Sequence, residues 1–377
     1  MSDTANVYFT DFRATYSENL LQKLQRLIKA AGMGGLPFEG KYTAIKIHFG
    51  EPGNLAFLRP NYAKAVVDFI TAHGGKAFLT DCNTLYVGGR KNALDHLDAA
   101  YANGFTPFST GCHVLIGDGL KGVDDVNVPL PDGHHVKEAK IGRAIMDADI
   151  FVSLNHFKGH EMTGFGGALK NIGMGCGSRA GKMEMHAAGK PKVNAAACIG
   201  CGVCVKCCAH GAVAVGQPAA KAAVTKRVAH IDPAVCAGCG RCMGHCPKDA
   251  IRPGYDESIE IMNAKMAEYT AAVLRGRPHF HISLICDVSP ECDCHDMNDA
   301  PVIPNLGMLA SADPVALDQA CADLCCAAAP LPGTMLTESA PHKDHFCALH
   351  PNTNWRTAIA HAERMNIGTS KYTLVRC

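Results

Sequence analysis

The sequence predicts an α/β fold: a mostly parallel sheet with helices on both faces, plus an inserted, small cysteine-rich (α+β) module. Three observations predict it. Short apolar runs alternate with helical patterns through residues 1–190, and such alternation means parallel strands joined by crossover helices. The alternation stops within residues 191–254, where cysteines crowd, and resumes over 255–377. The length of 377 residues, 47% hydrophobic and 19% charged, suffices for a packed core of one large domain or two ordinary ones. The expected division is an α/β domain in two parts, 1–190 and 255–377, around the module 191–254.

Val7 to Phe9 and Thr43 to His48 read as strands, being short apolar runs between polar turns. A helix is expected from Tyr62 to Ala72, then a strand at Lys76 to Thr80. A second helix covers Lys91 to Ala102, followed by a strand at His113 to Ile116. Segment 118–138 reads as a surface connection, and Ile141 to Met146 as helix. Asp149 to Leu154 is a buried-strand run ending in polar Asn155 and His156. Beyond the insert, Asp256 to Leu274 is a long helix with Ile259, Met262, Met266 and Tyr269 near helical spacing. His279 to Cys286 reads as a strand. Asp313-Pro314 supplies a cap and a first-turn proline for a helix running to about Cys326. Segment 327–353 reads as a loop, Trp355 to Met365 as a helix and Tyr372 to Val375 as a strand.

Charge narrows the function classes. Lys plus Arg total 36 against 35 for Asp plus Glu, a net charge of +1, so no nucleic-acid partner is expected. No stretch is long and apolar enough for a membrane span, and Met1 to Asn6 carries no basic leader; a cytoplasmic, reducing setting is expected. There, 20 cysteines are better explained as ligands or catalytic groups than as disulfides.

The cysteines of the insert repeat. Cys198, Cys201, Cys204 and Cys208 form C-x2-C-x2-C-x3-C, and Cys236, Cys239, Cys242 and Cys246 repeat it, with Pro247 next. A cubane cluster needs four thiolates; three come from one tight loop, and in a two-cluster arrangement the fourth comes from the partner loop. One 4Fe–4S cluster is thus assigned to Cys198, Cys201, Cys204 and Cys246, the other to Cys236, Cys239, Cys242 and Cys208. Ala209 stands where the pattern usually has proline, and Cys207 competes with Cys208. A pair of zinc sites is the competing reading, but zinc suits separated C-x2-C pairs or mixed Cys/His sets. The segment resembles bacterial-type two-cluster ferredoxins.

A second constellation runs from Asn155 to Asn171. If the chain stays extended, His156, Lys158 and His160 share a face; a glycine-rich turn then leads to a helix carrying Lys170 and Asn171. The segment follows the end of a strand, where open parallel sheets bind ligands. Glycines there allow close backbone approach to an anion, and Lys158 and Lys170 add positive charge. His156, Lys158, His160 and Lys170 are therefore the candidate catalytic residues. The spacing fits neither the dinucleotide fingerprint nor the P-loop. His48 to Glu51, Asp81 to Asn83, and Cys286-Asp287 end other strands; Cys292 and Cys294, flanked by carboxylates, suit a metal or a reactive thiol. Cys321 and Cys325 read as core. Arg179 and Lys182 would lower the Cys176 thiol if they lie near it.

Lys46 to Glu51, Leu79 to Thr84, the His156 to Asn171 segment and the central two-cluster insert together resemble the uncharacterised iron–sulfur center protein family built on domain of unknown function 362. The resemblance implies an α/β domain bearing ferredoxin-type clusters and supplies no reaction. Two functions are expected from the cysteine loops together with the polar strand ends. The first is an oxidoreductase passing electrons to or from a small anionic substrate or metal in the α/β domain. The second is an electron carrier relaying them to a redox partner protein; clusters with a structural or sensing role form a third reading.

Overall fold

The computed structural model of the chain describes residues 4–187, 190–217, 226–337 and 342–377. Alternation of side chains sets its central sheet: Ile150, Val152 and Leu154 enter one apolar layer and Phe151 the other. The eight strands are β1 (Ala5–Asp11), β2 (Tyr42–Lys46), β3 (Lys76–Asp81), β4 (His113–Ile116), β5 (Ile150–His156), β6 (His279–Ile285), β7 (Gly307–Ser311) and β8 (Tyr372–Arg376). Their order is β8-β1-β7-β6-β5-β2-β3-β4. All neighbours are parallel except at β7, which runs against both β1 and β6.

Helices cover both faces, as expected. On one side α1 (Leu20–Ala30) and α2 (Pro60–Ala72) insert Leu24, Leu27, Val66 and Ile70. On the other, α3 (Ala168–Cys176), α4 (Ile259–Leu274), α5 (Pro314–Ala327) and α6 (Arg356–Arg364) insert Leu169, Ile172, Met266 and Leu317 among others. Each such aliphatic side chain contributes about 1.5–3 kcal/mol on burial. Asn19 and Gln22 form a capping box on α1, and Asp313 caps α5 through the amides of Val315 and Ala316. Among the described residues no helix is long and apolar enough to cross a membrane.

Several expectations are corrected. Ile141 belongs to a strand, Glu138–Gly142, paired with Asp125–Pro129, so a hairpin occupies part of the connection expected at 118–138. Only Arg143–Met146 is helical, because Ala139 and Ile141 bury alternate positions and Gly142 closes the strand. The Thr43 strand ends at Lys46, and Ile47 and His48 leave the sheet. Helix α1 and strand β7 were not anticipated. Loop 327–353 contains a short helix, His345–Leu349, while residues 338–341 lie outside the described residues.

The cysteine-rich segment has two short hairpin-like pairings, Lys192–Val193 with Ile251–Arg252 and Val213–Gly216 with Val228–Ile231. Its duplication is visible in the backbone. Gly200 and Gly202 take positive φ, as do Gly238 and Gly240 at the equivalent places, so each cysteine loop turns identically into a one-turn helix.

One buried carboxylate fastens the far side of the molecule. Glu268 of α4 accepts backbone N–H groups of His134, His135 and Val136 at 2.8, 3.1 and 2.6 Å, and the Nε2–H of His361 at 2.8 Å. Burial alone would raise its pKa, but the His361 bond and the three amides outweigh burial and lower it. A depressed carboxylate contributes stability above its ordinary value of 4.5, lost as pH falls through the lower folded value. Glu268→Gln is expected to cost about 1.5–3 kcal/mol in denaturant unfolding at pH 7. The gap to wild type should narrow on acidification below about pH 4.

Candidate functional site

The strand order reverses between β2 and β5, and a ligand crevice is expected outside the carboxyl ends there. A cavity of about 380 Å³ opens at that place. Ile47 and His48 reach it from the end of β2, Asp81 and Cys82 from β3, and His156 from β5. Five basic side chains line it, Lys46, Arg90, Lys158, Lys170 and Lys182, against two carboxylates, Asp81 and Glu161.

Each cation is held by a specific partner. Lys46 Nζ lies 3.0 Å from Asp81 Oδ1 and donates to Asn171 Oδ1 at 2.7 Å. Arg90 Nε donates to Glu51 Oε2 at 2.8 Å and also contacts the Tyr86 hydroxyl. Burial pushes Asp81 up, but Lys46, His96 and Arg90 more than offset it and hold the carboxyl low. His48 is driven well below its ordinary value by burial and by Arg90. Its Nδ1 accepts the Gly50 amide at 3.1 Å, so the neutral ring carries its proton on Nε2. His186 falls to about 3, chiefly through burial.

The four residues named from the sequence share this cavity, in unequal roles. Both ring nitrogens of His156 face acceptors: Nδ1 lies 2.9 Å from Asp293 Oδ1, and Nε2 lies 2.7 Å from the Cys286 carbonyl. The ring donates twice and has no free nitrogen for proton transfer. Lys158 Nζ sits 3.1 Å from Asp293 Oδ2, so one buried carboxylate clamps both residues. Burial acts to raise Asp293, yet His156 and Lys158 hold it low. His160 Nδ1 accepts the amides of Met162 and Thr163 at 3.0 and 3.2 Å. Lys170 Nζ lies 2.9 Å from Cys292 Sγ.

The glycine-rich turn departs from its expected use. The two amides at the start of α3, Ala168 and Leu169, are taken by Asp318 at 2.6 and 2.9 Å. A Cβ at Gly167 would stand 2.4 Å from the same carboxylate, and one at Gly159 2.1 Å from the Pro290 carbonyl. These glycines admit the chain's own oxygens. Burial pushes Asp318 up to about 7.

The thiols divide likewise. Cys176 is buried, with its thiol raised to about 12 by burial, so Lys46 and Lys182 do not activate it. Cys321 and Cys325 are core, as expected. Cys292 is different. Burial would raise it, but the Cys294 hydrogen bond and Lys170 outweigh burial and hold it as thiolate, while Cys294 is pushed up by that bond and by burial. His160, Cys292 and Cys294 place ligand atoms within 4.8 Å of one another, as do Glu161, Cys294 and His295. Asn83 bonds Asp118 at 2.8 Å and does not line the cavity. Arg90, Tyr86, His186 and Tyr255 line it and escaped the sequence reading, since none belongs to a motif.

In the insert, Cys198, Cys201, Cys204 and Cys246 surround one small hollow. Cys198 Sγ accepts the amides of Gly200 and Ala229 at 3.5 and 3.3 Å, Cys236 Sγ that of Gly238 at 3.4 Å, and Cys246 Sγ that of Ala250 at 3.3 Å. Amide donors on sulfur favour thiolate and cluster ligation. Cys207 instead aims its thiol at the Cys204 carbonyl, at 3.4 Å. The insert's apolar core includes Cys198, Cys204 and Cys242, and it also includes Met183 and the cavity-lining Leu85.

Fold and site define an α/β protein with a strand-end cavity and a cysteine-rich insert packed against its wall. The chain belongs to the family described as domain of unknown function DUF362, whose model matches residues 43–323. No curated protein matches it. A Thermotoga maritima protein of solved structure is similar at 14% identity and TM-score 0.37, over 76% of this chain and 54% of that one. The lactate racemase apoprotein from Thermoanaerobacterium thermosaccharolyticum is similar at 14% identity and TM-score 0.32, over 48% of this chain and 41% of that one. The chain thus spans about half, or less, of the solved structures it matches.

Because Asp293 serves two cations, Asp293→Asn is expected to destabilise the protein by about 3–5 kcal/mol, the cost of stranding buried charge. Adding Lys158→Met should recover part of that loss. A double-mutant cycle in denaturant checks it; strict additivity would show that the clamp does not exist.

Proposed function

We propose that the chain is an iron–sulfur oxidoreductase carrying two 4Fe–4S clusters that exchanges electrons with a small anionic substrate in the strand-end cavity. The observation that carries this reading is the shared wall: Leu85 lines the cavity and packs in the same apolar cluster as Cys242 and Met183. Cys198, Cys201, Cys204 and Cys246 suit one cluster, and Cys236, Cys239, Cys242 and Cys208 the other. Their amide-to-sulfur bonds and the hollow among the first four fit such groups. When bound, the clusters supply single-electron transfer.

The chain's own residues do the rest. The basic lining favours an anion, and the carboxylates behind it keep those cations fixed in water-poor surroundings, where their field is strongest. His48 accepts the Gly50 amide at Nδ1, which leaves its Nε2–H to donate a hydrogen bond to the anionic substrate and to stabilise the charge gained on reduction. His156 and Lys158 position the loop after β5.

An electron-carrier role is the second reading. Ile199 and Val205, 52% and 39% exposed, flank the exposed Cys201 in its loop, and apolar exposure beside a ligand cysteine suits a docking partner.

Strictly anaerobic purification should give about eight iron and eight sulfide per chain. Dithionite-reduced protein, screened against small carboxylates and phosphates, should be reoxidised by one of them. His48→Gln, which displaces that donor, should slow the step by about 10²–10³-fold at unchanged iron content. Iron-free protein sinks the proposal outright. Full reoxidation by a co-purifying protein, indifferent to His48→Gln, replaces it with the carrier reading.

A further inference from the structure

Cys294 belongs to both donor groups at the cavity's mouth, one with Cys292 and His160, the other with Glu161 and His295. We infer that Cys294, with Cys292 on one side of it and Glu161 and His295 on the other, anchors a site for one thiophilic divalent cation of the zinc type, separate from the cysteines of the insert. The inference deepens the redox reading of this cavity and rests on it only for what the cation is used for.

The donor chemistry selects the ion. Two thiol sulfurs, one imidazole and one carboxylate suit a borderline-soft metal and not a hard cation such as magnesium or calcium. Charge selects the valence. Two thiolates and a carboxylate carry three negative charges; Lys170, at 2.9 Å from Cys292 Sγ, supplies one positive charge and a divalent ion the other two. Such neutrality matters where water is scarce.

Unsatisfied atoms point the same way. His295 Nε2 stands 3.2 Å from Glu161 Oε1, near enough for an ion pair, yet off the hydrogen-bond line. Glu161 Oε2 is also buried and makes no hydrogen bond among the described residues. Buried polar atoms are normally paired. A cation shared with Cys294 would give Glu161 Oε2 the partner it lacks beside the His295 ion pair.

His160 is as close, but its Nδ1 is taken by two amides, so Nε2 keeps its proton. It is a positioning residue beside the two thiols, and Lys170 donates to Cys292 Sγ at 2.9 Å. The loop that presents the donors is held in advance. The amide of Gly159 donates to the Ser289 carbonyl at 2.9 Å, His350 Nε2 lies 2.8 Å from the Pro290 carbonyl, and the Glu51 amide donates to the Asp293 carbonyl at 3.0 Å. An ion held there would face the cavity and polarise a carboxylate or carbonyl of the bound substrate.

The test uses the full chain, purified anaerobically and dialysed against zinc ions. One zinc per chain is expected beyond the iron, and zinc-edge absorption should show two sulfurs at about 2.3 Å. Cys292→Ser/Cys294→Ser should abolish that zinc. His295→Ala, at a half-exposed position where folding is not at stake, should weaken binding at least tenfold. His160→Gln should keep both sulfurs while loosening the ion by about 10–100-fold. Equal zinc uptake by wild type and the double variant overturns the inference, as does bound zinc without sulfur. Iron and sulfide counted in the same samples report on the clusters, so the two proposals fail separately.

Discussion

The Lys46–Asp81 ion pair, 3.0 Å long and almost wholly removed from water, is the contact on which the strand-end cavity depends. A buried pair standing alone recovers little of its desolvation cost. This one is not alone. Arg90 and His96 also approach Asp81, and Lys46 reaches Asn171 of α3. The Asn171 amide in turn donates to the Lys46 and Leu154 carbonyls and to Asn155 Oδ1, at 3.1, 3.2 and 2.8 Å. Three strand ends and one helix are thus tied by a single polar knot. On the same face Ser153 and Asn155 replace the apolar stripe that Ile150, Val152 and Leu154 present opposite, and they continue the knot to Ser283 and His281.

Such construction has a consequence for binding. Every cation on the wall has its orientation fixed by an oxygen or sulfur acceptor, so an entering anion meets charges that need no reorganisation. Aspartate and glutamate sit mostly behind the lysines and arginine, as Asp293 and Glu51 do. The surface that faces the cavity stays basic even though the chain as a whole carries a net charge of only +1. Net charge is a property of the whole surface, whereas recognition depends on which ends of the pairs point inward.

That distinction also explains what was legible beforehand. Apolar runs announced β1 to β6 and β8, most plainly β2, β5 and β6, because strands buried on both faces cannot hide in sequence. The duplicated cysteine spacing announced the insert, and the polar run after Leu154 announced the cavity. Arg90 was silent, since its partners Glu51 and Tyr86 come from a different loop and from its own, with no fixed spacing between them. Asp318 was silent for the same reason: it reads as one polar residue in a helix, and only the fold brings it to the start of α3. Strand β7, Gly-Met-Leu-Ala-Ser, has no β-branched residue, and its extended form comes from pairing on both sides. The glycine-rich turn misled because a missing Cβ admits any close neighbour, the chain's own carbonyl or carboxylate included.

The position of the insert follows from the same geometry. The chain leaves the α/β domain after the helix Arg179–His186 and returns before α4, and the Glu257 amide donates to the His186 carbonyl at 3.4 Å. Exit and re-entry therefore touch, so a compact unit can be accommodated without parting the sheet. His186 and Tyr255 mark the two passages; their rings meet edge to face at 5.5 Å, and both line the cavity. An insertion elsewhere on the surface would have preserved the fold equally well. At this junction Met183 of the exit helix and Leu85 of the cavity wall both pack into the insert's apolar core, so the place of insertion fixes the cysteine loops against the wall of the cavity.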